Sequence, residues 1–276
     1  MEFLKALLKI LDTKMDIPTS YGWFHLTFFF LSVASGVLLC FIPKMREGKA
    51  VRNFVLLTSV ICILLEVYKQ INFCTSYSGE TVTFTLLYYS LPFQFCSIPM
   101  YAGLLSGIFR KGRVNESLLA FLATYSVFGG LCVMFYPTQV FIDTVGINIQ
   151  TMFCHGAMIT MGIYLFGTGT VKAEHKTILK AIPVFVSAIV IAMILNEIVY
   201  YAGVPEGDSF NMFYISRHYD STLPVYSLVH AALPYPLALI VYILVFTLAA
   251  YVILLVAMGI SRLIRATVKR KTKNTI

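Results

Sequence analysis

Few side chains able to do chemistry interrupt the long apolar runs of this sequence, and their spacing singles them out. Glu66, Lys69 and Gln70 stand three and four residues apart, on one face of a helix. Gln150 and His155 occupy a later run and Asn196 and Glu197 another, with His25 and His230 at the edges of two more. Cys96 lies in LPFQFCSIPMY, residues 91–101, close to the amide Gln94 and three residues before Pro99. That proline removes a backbone donor and crowds the carbonyl of Phe95, so the chain is expected to open around a thiol and a buried amide. A thiol at such an opening is a candidate nucleophile, whereas one closed in apolar packing is inert.

The elements that position these groups follow from composition. Of 276 residues, 58% are hydrophobic and 12% charged, against roughly 25% charged in a soluble domain. The excess forms runs long enough to cross a hydrocarbon core of ~30 Å as helices. Seven spans are predicted: residues 22–42, 54–71, a third ending at 109, 117–136, 149–166, 178–201 and 234–260. The fold class is thus an all-α polytopic membrane protein, one seven-helix domain over 1–276. Within residues 1–17, Phe3, Leu4, Leu7, Leu8 and Leu11 recur at helical spacing while Lys5, Lys9 and Asp12 fall elsewhere. This predicts a short interfacial amphipathic helix, with no small-residue cleavage site to make it a signal peptide. Residues 202–233 form a long loop containing FNMFYISRHY, and 261–276 a basic tail.

The net charge of +8 reports orientation, not nucleic acid. Sixteen of the 21 lysines and arginines fall after the first, third, fifth and seventh spans. The intervening loops carry Glu80, Asp143, Glu206, Asp208 and Asp220 against a single Arg217. The positive-inside rule then predicts a multi-pass cell-membrane protein with its N-terminus outside and its C-terminus cytoplasmic. The six cysteines show no paired spacing, so neither a disulfide framework nor a zinc site is expected, and no cofactor is called for. No internal repeat is visible, which weakens a transporter built from repeats.

With that orientation, Glu66, Lys69, Gln70, Gln150, His155, Asn196 and Glu197 all fall in the outer half of their spans. Ionisable groups at membrane depth are costly and tend to face a cavity or a partner, so the set predicts an outward-facing polar chamber. The depth of Cys96 has two readings. A third helix beginning near Thr85 puts it about 16 Å in, near midplane. One beginning at Pro92 puts it in the first two turns, level with His155, where the helix dipole favours a thiolate.

The motif LPFQFCSIPMY, the segment MFCHGAMITMGIYL with His155, the run Asn211-Met212-Phe213-Tyr214 followed by Leu223-Pro224, and Leu233-Pro234-Tyr235-Pro236 resemble the YwaF-like bacterial integral membrane proteins. These are related to eukaryotic membrane acyltransferases that make ether phospholipids and, more distantly, to the androgen-induced lipid hydrolases. The resemblance spans nearly the whole chain, and the order of the motifs is more specific than any one of them. It implies a seven-helix fold whose partner is membrane lipid. Cys96 matches its nucleophile and His155 its base, although bacterial relatives commonly carry histidine where this chain has Gln94. The implied chemistry is acyl transfer, in which Cys96 attacks an ester and His155 moves the proton. Gln94, Glu66, Lys69, Asn196, Glu197 and Asn211 would bind substrate. Among them Gln94 or Asn196 is a candidate for holding the oxyanion and Glu66 or Glu197 for orienting the imidazole. A solute-binding or transport protein using the same chamber is the alternative. A retinal protein is excluded by the lack of a lysine in the last span, and no receptor-type DRY or NPxxY motif is present.

Overall fold

The computed structural model describes residues 2–78, 81–137 and 140–273. Glu80 and residues 274–276 of the basic tail, both used above to read orientation, lie outside the described residues. Among the described residues, six helices are long and apolar enough to cross a membrane. They are α2 (Trp23–Phe41), α3 (Gly48–Cys74), the pair α5 (Arg113–Ala123) and α6 (Tyr125–Phe135), α7 (Val145–Gly167), α8 (Lys176–Ala202) and α10 (Tyr235–Lys273). The pair is one span broken at Thr124, whose backbone leaves the helical region while its hydroxyl donates to Ala120 O at 2.7 Å. The amphipathic α1 (Glu2–Leu11) and the short α9 (Tyr226–Ala232) flank the bundle.

The third predicted span departs from both readings of its start. The chain leaves α3 into an antiparallel hairpin, β1 (Thr75–Ser78) and β2 (Thr81–Phe84), an element absent from the all-α expectation. It then runs through two single 3₁₀ turns, Tyr88–Ser90 and Phe95–Ser97, and only at Ile98 begins α4 (Ile98–Phe109). Twelve residues span about 18 Å, too short to cross alone. Pro99 therefore does not open a helix from within. It occupies the first turn of α4, where its missing N–H costs nothing.

Small residues set the directions of packing. On α2, Ser32, Gly36 and Cys40 meet Gly156, Ile163 and Gly167 of α7 in that order, so the two helices run parallel. Gly103 and Gly107 of α4 meet Ser59 and Leu56 of α3 in reverse order, so α4 returns alongside α3. The basic segments consequently gather at one end. There the Tyr164 hydroxyl donates to Met45 O, Lys180 pairs with Glu116 at 2.7 Å and His175 Nδ1 meets the Tyr251 hydroxyl at 2.7 Å. At the opposite end Tyr68 donates to Leu11 O at 2.6 Å, and Lys14 pairs with Asp143, fixing the segment after α1. The flanks of the bundle expose Phe30, Leu38, Leu57, Leu64, Ile194, Leu244 and Leu248, the surface a lipid bilayer covers.

The α2–α7 seam is close enough to be tested. A β-carbon at position 36 would lie 2.9 Å from Ile163 Cβ and 3.1 Å from Thr160 O. Gly36→Leu should destabilise the detergent-solubilised protein by about 1–3 kcal/mol, read as a lowered midpoint of thermal unfolding. Val37→Leu, on the exposed face of the same turn, should change it by under about 0.5 kcal/mol.

Candidate functional site

A cavity of about 510 Å³ lies between α3, α6, α7, α10 and the irregular segment before α4. Glu66, Lys69, Ser90, Gln94 and Gln150 line one part of it, and Phe128, Met158, Met161 and Phe246 another. From Lys69 to Ser59 it extends about 15 Å along α3. Cys96 and His155 are both on its wall, with Cys62 and Cys154.

Cys96 is placed by what surrounds its neighbours. Phe95, one residue earlier, packs among Phe121, Phe128, Phe185, Phe213 and Phe246, the last edge-on at 5.1 Å. On α6, two adjacent glycines bring the two key segments together. A β-carbon at 129 would lie 2.9 Å from the Phe95 ring, and one at 130 would lie 2.6 Å from the carbonyl oxygen of His155. The backbone of 85–97 cannot bond to itself as a helix, so side chains satisfy it. Asp208 accepts from the N–H groups of Tyr88 and Tyr89 at 2.6 and 3.2 Å. Gln70 donates to Ser90 O at 2.6 Å and Tyr101 to Pro92 O at 2.8 Å.

His155 is held by its own helix. Nδ1 lies 2.7 Å from the carbonyl oxygen of Thr151. A carbonyl only accepts, so Nδ1 carries the proton and Nε2 keeps its lone pair. Nε2 is buried with no hydrogen-bond partner among the described residues. This is the tautomer a general base needs, and it is set by backbone, not by Glu66 or Glu197.

Glu66 is otherwise occupied. It pairs with Lys69 at 2.7 Å and accepts from Gln70 at 2.8 Å and Gln150 at 3.3 Å, the full complement a buried carboxylate requires. Glu197 lies outside the cavity and accepts from Arg217 at 2.6 Å and His218 at 3.1 Å. His25 is buried, its Nδ1 accepting the N–H of Tyr21 at 3.1 Å, and His230 sits in α9 beside Tyr226 and Tyr235. Neither lines the cavity.

The remaining amides form a clamp. Asn196 accepts from Met212 N at 2.8 Å and donates to Met212 O at 3.1 Å. Gln94 donates to Asn211 O at 3.0 Å and accepts from Phe213 N at 2.8 Å. Asn211 accepts from Ser216 N at 2.9 Å and donates to Asp220 O at 3.3 Å. Gln94 touches the cavity, whereas Asn196 and Asn211 do not. The long loop of residues 202–233 is thus partly core, with Phe210, Met212, Phe213 and Ile215 buried.

Between the clamps, Phe213 and Tyr214 take φ values of 59° and 58°, a left-handed conformation costing about 1–2 kcal/mol for each such residue. Tyr214 lines the cavity, and sequence reasoning gave it no role. Burial pushes its phenol up, and the Cys96 sulfur acts in the same direction. Its only signal in the sequence was the run Asn211–Tyr214. Among the described residues, no group of three His, Cys, Asp or Glu side chains is arranged to hold a metal ion.

A family model described as the TMEM164 family matches residues 19–256. No curated protein and no solved structure matches the chain.

The clamp has a measurable consequence. Asn196→Ala leaves the buried Met212 N–H without its partner and the Met212 carbonyl with only the long bond from Ile215 N, which should cost about 1–3 kcal/mol. The readouts are a lowered unfolding midpoint and faster proteolysis within residues 203–225. Glu197→Gln, in a partly exposed ion pair, should change stability by under about 1 kcal/mol.

Proposed function

We propose that this chain, which belongs to the TMEM164 family, is a membrane enzyme that cleaves lipid esters by acyl transfer through Cys96 and His155. The observation that carries the reading is the placement of a thiol and an imidazole with a free Nε2 on one cavity that is polar at one part and aromatic at another. Those two parts match the headgroup and acyl chain of an amphiphile. The motif resemblance to YwaF-like proteins and their acyltransferase relatives supports the same direction.

The steps follow from the residues. His155 Nε2 takes the Cys96 proton, and the thiolate sulfur adds to the ester carbonyl carbon of a bound lipid. The tetrahedral oxyanion collapses, the carbon–oxygen bond to the glycerol breaks, and the imidazolium returns its proton to the leaving alkoxide. The acyl thioester is then attacked by the hydroxyl of an acceptor lysolipid, or by water, with His155 again taking the proton and returning it to Cys96. Glu66 and Lys69, joined at 2.7 Å, would meet the headgroup. By the charge asymmetry of the loops, the N-terminus and the polar part of the cavity face outward and the basic end faces the cytoplasm.

A second reading, a solute-binding or transport chamber without chemistry, is supported by Glu66 and Lys69 on the cavity wall. It fits less well, because those charges neutralise each other and the wall beyond them is apolar.

Cys96→Ala and His155→Gln should each lower acyl release from an alkyne-tagged phosphatidylcholine donor by 10²-fold or more. Only the parent and His155→Gln should carry a hydroxylamine-sensitive acyl label, the latter slowly. Full turnover by Cys96→Ala would remove Cys96 as the nucleophile, and no acyl release by the parent above protein-free vesicles would leave the binding reading standing in its place.

A further inference from the structure

Resting on the acyl-transfer reading, we propose that Tyr214 is a third catalytic residue, its phenol O–H donating a hydrogen bond to the oxyanion formed when Cys96 attacks the ester. Two consecutive bulky residues in the left-handed region persist only where surrounding contacts over-determine them, and such strain clusters at functional sites. Here the over-determination is explicit. Asn196 holds both backbone groups of Met212, Gln94 holds Asn211 O and Phe213 N, and the Tyr235 hydroxyl donates to Ile215 O at 2.9 Å.

The reversal brings both residues to the cavity wall. Phe213 packs against Phe95, 6.0 Å between ring centres, on the residue next to the nucleophile. Tyr214 lines the cavity wall shared by Cys96 and His155, and burial, together with the Cys96 sulfur, pushes its phenol up. The second left-handed residue is the one that adds a hydrogen-bond donor to the cavity wall. The amides the sequence offered for the oxyanion are otherwise engaged: both ends of Gln94 bond to the loop, and Asn196 lies outside the cavity. Tyr214 and Tyr242 both line the cavity; Tyr214 is the one carried by the loop that packs on Phe95, next to Cys96, and a phenol fits the oxyanion role because it donates without carrying charge into the membrane.

The test separates addition to a carbonyl from reactivity of the thiol itself. Acylation of Cys96 passes through an oxyanion, whereas alkylation by iodoacetamide displaces iodide from carbon and forms none. Tyr214→Phe keeps the ring and should lower kcat for acyl release from the alkyne-tagged phosphatidylcholine by 10²- to 10³-fold, with KM changed less than threefold. Alkylation of Cys96 by iodoacetamide should stay within twofold of the parent rate. Incorporation of 3,5-difluorotyrosine at 214, which keeps both shape and donor, should bring turnover back to within a few-fold of the parent. Parental turnover by Tyr214→Phe, with Cys96→Ala inactive, would overturn the role of Tyr214 and leave acyl transfer intact. Equal losses of acylation and alkylation, or no recovery with the fluorinated residue, would make Tyr214 a packing residue. Full turnover by Cys96→Ala would remove the acyl-transfer reading and this role together.

Discussion

Non-helical backbone inside a helical membrane bundle must find its hydrogen bonds within the protein, and the structure is organised around meeting that demand at one place. Two irregular segments, 85–97 and 208–216, enter the bundle and meet each other. In hydrocarbon an unsatisfied N–H or carbonyl costs several kcal/mol, so neither segment is tenable without the carboxamides of Gln94, Asn196 and Asn211 and the carboxylate of Asp208. Each carboxamide bonds to two backbone groups and Asp208 to three, and each bond closes an account that a helix would have closed internally. The pairing is also mutual. Gln94 belongs to the first segment and holds the second, while Asp208 belongs to the second and holds the first.

That arrangement explains why the cavity exists. A continuous third helix would present Cys96 as one more apolar knob in a packed seam. Pro92 and Pro99 instead delay α4 until Ile98, leaving the thiol on a single 3₁₀ turn at the edge of a space no helix fills. Phe95 and the neighbouring rings of Phe246 and Phe185 fix that turn by packing. Gly129 and Gly130 let α6 approach both Phe95 and the His155 backbone. The site therefore depends on residues with no chemistry of their own: two prolines, two glycines and a cage of phenylalanines.

The parts of this that were legible in sequence are those governed by periodicity and charge. Long apolar runs located six of the helices, and clustered lysines and arginines marked the turns that meet at one end, as the Glu116–Lys180 and Tyr164–Met45 contacts show. The third span misled because hydropathy counts apolar residues without asking whether two prolines and a turn allow a helix. Polar residues were read by depth, which brought Glu66, Lys69, Gln150 and His155 to one cavity but also swept in Asn196 and Glu197, which bond to the loop. Depth says nothing about azimuth, and azimuth is set by tertiary packing. Tyr214 was invisible for a different reason: a left-handed φ on tyrosine is imposed by its surroundings, and no local sequence preference announces it.

The contrast between the two carboxylate sites bears on what the cavity accepts. Glu197 pairs with Arg217 and His218 where solvent screens all three, and an ion pair of that kind contributes little beyond tethering the loop to α8. Glu66 is buried, and its lone pairs are taken up by Lys69, Gln70 and Gln150. A transport site must exchange such partners for a passing solute and restore them afterwards. A buried pair with four hydrogen-bonding members on two helices resists that exchange, because removing any one leaves a charge uncompensated at low dielectric. It is better suited to presenting a fixed zwitterionic surface to a ligand that is itself zwitterionic. Phospholipid headgroups have that character, and on the proposed reading the apolar residues Phe128 and Phe246 would receive the chain the headgroup carries.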